Sequence, residues 1–162
     1  MNEIAESARI TPLIVYRHFD SKDDLYRAVL ERASGLLGDE LAAGSGPKGL
    51  GVDAASVLAA ARRDPAGFRL LWRHAAREPE FAAYADDLRD RVLGVVRAAL
   101  APRVAPSSIE WAAQATFGYL IESVLTWLEF GDPTHDDQYV AATNAAMRAG
   151  VRAWSGVKRR PA

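Results

Sequence analysis

At Thr11-Pro12, Asp64-Pro65 and Glu78-Pro79 this chain places proline directly after a polar residue and then continues for a helix-length. Proline has no N–H and a φ fixed near the helical value, so it suits the first position of a helix and disrupts a helix interior. Each pair therefore marks a helix start. Alternating runs of apolar and polar residues, the pattern of half-buried strands, are absent, and alanine, arginine and leucine dominate. The fold class expected is all-α.

The same punctuation divides the chain. A first helix is expected over about residues 2–8 and a short one from Pro12 to Phe19, with the Thr11 hydroxyl as its cap. A long helix to about Leu41 follows, opened by Ser21 and Asp24 at capping-box spacing. The glycine-rich GSGPKGLG, residues 44–51, is expected to be a loop, and further helices are expected over about residues 52–63, 65–77 and 79–100. Ser107 with Glu110 has the spacing of another capping box. It would open SIEWAAQATFGYLIESVLTWLEF, which Gly131 stops; this helix is too apolar to face water on most sides and has to be central or shared. A last helix, about residues 136–154, is rich in alanine and leads to the basic Lys158-Arg159-Arg160.

Composition narrows the class. Of 162 residues, 49% are apolar and 25% charged, the balance of a globular protein with a real core, and no cysteine is present to build a disulfide or a thiolate site. No apolar run approaches the roughly 18 residues needed to span a bilayer, and the start lacks the order of a secretory signal, so a cytoplasmic protein without a membrane partner is expected. The net charge of −1 means that any nucleic-acid contact has to come from a local patch. Enzymatic activity finds no support, because GxSxG, HExxH and the glycine-rich phosphate loops are missing. The three histidines stand far apart without carboxylates at metal spacing, and no metal or cofactor is expected.

A local patch does exist. From Arg9 to Phe19 there is no acidic residue. Two short helices joined by a three- or four-residue turn form the unit that lays its second helix in the DNA major groove. Ile4, Ala5, Ala8, Ile10, Val15 and Phe19 can meet on one inner side, with Val15 and Phe19 at i,i+4, which leaves Thr11, Leu13, Ile14, Tyr16, Arg17 and His18 outward.

The segments IAESARIT, VYRHF and DSKDDL resemble the DNA-binding region of TetR-type transcriptional regulators, with Tyr16, His18, Phe19, Ser21, Lys22 and Leu25 at matching positions. The remainder of the chain is similar, more weakly, to the ligand-binding and dimerisation region of such proteins. The resemblance implies a helix-turn-helix region over residues 1–34 and a helical-bundle ligand-binding and dimerisation domain over 35–162. It implies that Tyr16, His18 and Lys22 contact phosphates while Thr11, Leu13 and Ile14 face base edges, with Arg9 and Arg17 beside them. Arg9 stands where the family usually has glycine in the turn, a position of positive φ that costs an ordinary residue about 1–2 kcal/mol. Leu13 and Ile14 replace small or polar residues; apolar side chains can read thymine methyls but cannot make bidentate bonds to guanine or adenine. Only Met1-Asn2-Glu3 precede Ile4, where the family has a further helix. A start placed at an internal methionine, a trimmed chain and a loss of DNA binding would each produce this.

The first reading is thus a ligand-responsive regulator, a repressor, that binds a palindromic double-stranded operator as a homodimer and responds to a small hydrophobic effector. Phe68, Trp72, Tyr84 and Leu88 from the middle helices, with Gln114, Phe117 and Ile121, are the expected lining. Tyr119 and Trp127, with the close-packing Ala142, Ala145 and Ala149, are the expected dimer interface. Glu122, inside the apolar helix, is either exposed at a seam or a polar handle in a cavity. The competing reading is a dimeric helical ligand-binding or scaffold protein that no longer binds DNA.

Overall fold

The computed structural model describes residues 6, 9, 11–44, 52–75 and 78–155. Among these, seven α-helices and no strands are present: α1 Pro12–His18, α2 Lys22–Gly44, α3 Ala54–Arg63, α4 Pro65–Arg69, α5 Pro79–Leu100, α6 Ile109–Phe130 and α7 Asp136–Trp154. The all-α expectation holds. The expected helix over residues 2–8, most of the loop 44–51 and the basic tail lie outside the described residues, although Gly44 itself ends α2.

Helix starts follow the prolines and carboxylates. Asp53 accepts the N–H groups of Ala55 and Ser56 at 2.8 and 3.0 Å, satisfying donors that the first turn of α3 would otherwise leave open. Asp64 does the same for Gly67 at 2.9 Å; a Cβ on Gly67 would lie 2.7 Å from that carboxylate, so only glycine admits the bond as drawn. At α2 the Ser21 hydroxyl accepts the Asp24 N–H at 3.0 Å, while the Asp24 carboxylate accepts from Asp20, one residue earlier than a capping box requires.

Other expected caps are not made. Thr11 occupies the N-cap of α1, but its hydroxyl makes no capping bond; Pro12, having no N–H to satisfy, sets the start. Ser107 and Glu110 form no capping box, because Pro106–Ser108 is a 3₁₀ turn and Glu110 turns instead to Arg97, with bonds of 2.7 and 3.0 Å. That pair holds the Glu110 carboxyl down at about 2. The helix expected over 65–77 changes character at its middle. After Arg69 the segment Leu70–His74 winds as a π-helix, with the Ala75 N–H donating to the Leu70 carbonyl five residues back.

The core explains the arrangement. α3 is short and rich in alanine, with Ala54, Ala60 and Ala61 buried, so α2, α6 and α7 all pack closely against it. α6 packs on α3, α5 and α7, burying Phe117, Leu120, Ile121, Val124 and Leu125, which accounts for its apolar composition. Leu30, Leu37, Phe68, Leu71, Leu93 and Leu100 complete one continuous core. The α3–α6–α7 junction is closed by a polar clamp: Arg62 bonds Asp136 through two nitrogens at 3.0 and 2.7 Å, and the Trp127 indole N–H donates to the same carboxylate at 2.7 Å. The Asn144 side chain of α7 accepts the Ala54 N–H at 3.0 Å, fastening the start of α3.

Candidate nucleic-acid interface

The N-terminal unit is built around one strained residue. Arg9 has φ 55°, the left-handed region that glycine adopts without penalty, and its N–H donates to the Glu6 carbonyl at 3.0 Å. The turn that resemblance assigned to a glycine position is thus present with arginine in it. Thr11 is extended, α1 follows, and Phe19, again extended, donates its N–H to Val15 at 3.0 Å and ends the helix.

α1 has two unlike sides. Val15 is 5% exposed and Phe19 is half-buried, while Leu13 is 78%, Tyr16 52% and Ile14 45% exposed. Arg9, Thr11, Arg17, His18 and Lys22 are exposed as well, and all eight residues expected to meet DNA therefore share one open region at α1 and the start of α2. Among the described residues, Arg9, Arg17, His18 and Lys22 form no ion pair. The charges of Arg9, Arg17 and Lys22 are left available to an outside anion. Asp20, Asp23 and Asp24 bound the positive arc on the α2 side.

The expected effector lining does not form one cavity. Trp72, Phe117 and Ile121 meet in a cavity of about 240 Å³ between the π-helical turn, α5 and α6, together with Leu71, Ala85 and Arg89. There the Trp72 and Phe117 rings stand edge to face with centroids 5.3 Å apart, and the Arg89 guanidinium lies 5.4 Å from the Phe117 centroid. Phe68 is in the core behind Trp72. Gln114 is occupied at the surface, accepting from Arg89 at 2.7 Å and donating to Glu110 at 3.1 Å. Tyr84 and Leu88 face a separate cleft of about 690 Å³ between α2 and α5, where the Tyr84 hydroxyl bonds Ser34 at 2.6 Å. Ser34, Gly35 and Gly38 of that cleft carry no sequence signal as ligand residues, since only the divergence of α2 from α5 opens it. Arg89 also escaped sequence reading.

Of the residues expected at a dimer interface, Tyr119 is 44% exposed, and Ala142, Ala145 and Ala149 are exposed along α7. Trp127 is turned inward, stacked on Tyr139 at 4.7 Å and bonded to Asp136. It lines a cleft of about 560 Å³ with Tyr119, Tyr139 and Phe130, the last 79% exposed. Glu122 is exposed and paired with Arg73 at 3.4 Å, and it also lines both the Trp72–Phe117 cavity and the Trp127 cleft, so both expectations for it are met in part. Among the described residues no group of side chains is arranged to hold a metal, and no helix is long and apolar enough to cross a membrane.

A left-handed turn leading into a short helix, one side packed and the other cationic and open, is the reading half of a helix-turn-helix DNA-binding protein. Residues 1–29 match the family described as bacterial regulatory proteins, tetR family. No curated protein matches the chain.

Proposed function

We propose that the protein is a ligand-responsive transcriptional repressor that binds a palindromic operator as a homodimer. The observation that carries the reading is the unpaired cationic set Arg9, Arg17 and Lys22, with His18 beside it, around the exposed side of α1, within a segment that matches the tetR family. Phosphates are satisfied by such cations and by hydroxyl donors such as Tyr16, which fix the register of the helix in the groove.

Two further observations support the rest. The outer side of α6 and α7 exposes Trp111, Tyr119 and Phe130 beside the alanines of α7, an apolar face that a second copy would cover while bringing two reading helices to successive major grooves. The aromatic cavity at Trp72 and Phe117 accepts a small hydrophobic effector between α5 and the π-helical turn. An effector acts there only through unequal affinity for the DNA-competent and DNA-incompetent arrangements.

The test is duplex binding as a function of salt, with the chain as given and extended through its upstream reading frame. Tyr16→Ala and Lys22→Ala are expected to weaken binding, and Lys22→Ala to reduce the log–log salt slope by about 1. A dimer that binds no duplex in either form sinks the regulator reading and leaves the helical ligand-binding or scaffold protein.

A further inference from the structure

Phosphate contact does not account for Leu13 and Ile14, whose side chains are 78% and 45% exposed on a helix that buries Val15 to 5%. Successive residues of a helix turn by about 100°. Leu13 and Arg17 consequently project farthest from Val15, with Ile14 and Tyr16 on the two flanks. The outermost line of α1 is an apolar side chain followed one turn later by a guanidinium, and it carries no amide and no carboxylate.

Resting on the reading of this face as one that enters a major groove, we propose that Leu13 and Ile14 are specificity-determining residues that recognise the C5-methyl groups of pyrimidines. Every base pair lines that groove with hydrogen-bond donors and acceptors, and the C5-methyl is the apolar feature among them. Leucine laid on a bare polar edge strips water from it without replacing the bond, which is unfavourable. Laid on a methyl, it removes apolar surface from water on both partners, which is favourable. The pair therefore selects for methyl and against its absence by the same contact. The cations Arg9, Arg17 and Lys22 lie around these two side chains, a charge pattern that complements a polyanion and does not suit an apolar protein groove. Thymine and 5-methylcytosine both present the group.

Duplexes enriched by the protein from a pool with a randomised palindromic core supply the probe. They are then remade with deoxyuridine for thymidine, and separately with 5-methylcytosine at contacted cytosines. Each contacted methyl lost is expected to weaken binding about fourfold. Leu13→Ala or Ile14→Ala should bring the thymine-to-uracil ratio toward one while circular dichroism and Tm stay unchanged. Arg17→Ala should weaken both duplexes equally and leave the ratio intact. A gain on cytosine methylation adds 5-methylcytosine as a source; no gain assigns the effect to thymine, and the proposal stands in both cases provided uracil weakens binding. Enrichment of no duplex overturns the regulator reading and this inference with it. Duplex binding that ignores uracil substitution, or a thymine-to-uracil ratio that neither alanine variant alters, overturns the inference alone.

Discussion

The N-terminal unit and the helical bundle spend their apolar residues in opposite ways. In α1, Leu13 and Ile14 are turned outward and Val15 is the buried one, whereas in α6 eight residues, from Ala112 to Leu125, are buried. The bundle is held by what it hides; the unit at the front is defined by what it shows. A substitution in the first should therefore be read as stability, and one in the second as recognition, with the strained turn at Arg9 as the place where both meet.

The largest effect that could break this division lies in the bundle. Leu120 is 1% exposed at the centre of α6, and Leu120→Ala is expected to cost about 2–5 kcal/mol, lowering Tm by about 4–20 °C in thermal unfolding. A loss well below that range would mean that the core around α6 can collapse into the space, and that burial is less decisive than argued here.

A smaller effect is expected at the clamp joining α3, α6 and α7. Arg62→Ala should cost about 1–3 kcal/mol, since it removes two charge-assisted bonds from a pair that is only partly exposed. The bond from Arg62 holds the Asp136 carboxyl below its usual range; burial opposes this, and the Trp127 bond adds to it. A depressed carboxyl stabilises the fold fully above its unfolded value, about 3.9 for aspartate, and the contribution disappears as pH falls through the folded value. Denaturant titrations of the protein and of Asp136→Asn should accordingly begin to approach one another as pH falls below about 4 and meet only below the depressed folded value. A gap that persists in acid would show that packing of Trp127, not the charge, supports the junction.

The smallest effect sharpens the comparison at Arg9. Arg9→Gly relieves a positive φ and should stabilise the chain by about 1 kcal/mol, less the extra backbone freedom of glycine, while removing one cation from the exposed region at α1. Higher Tm with weaker duplex binding is the expected pairing; lower Tm would show that the arginine side chain contributes contacts that outweigh the strain.

Local chemistry was legible in the sequence where one or two neighbouring residues decide it. Pro12, Pro65 and Pro79 each open a helix and Gly131 follows the end of α6, while the φ of Arg9 was expected only through the family resemblance, which puts glycine at that turn. What depends on distant partners was not legible. Glu110 had capping spacing to Ser107 but found Arg97 across the α5–α6 gap, where a bidentate ion pair displaces a single cap bond. Trp127, expected at an interface, is bonded to Asp136 and stacked on Tyr139, partners that only the fold brings to it. The expected effector residues were grouped by helix, yet α5 presents Tyr84 and Leu88 to one side and Ala85 and Arg89 to another, a split set by helix rotation that periodicity does not fix. The π-helical turn at Leu70–His74 had no sequence sign at all.

The alanines of α3 have a mechanical meaning beyond tight packing. α2, which continues directly from the N-terminal unit, and α7, which carries the exposed alanine face, both rest on this one thin helix. Its side chains act as a shim: their thickness sets how far the front of the molecule stands from its back. A single larger residue at Ala60 or Ala61 would pry the two apart, so the molecule's reach is gauged by methyl groups that touch neither surface.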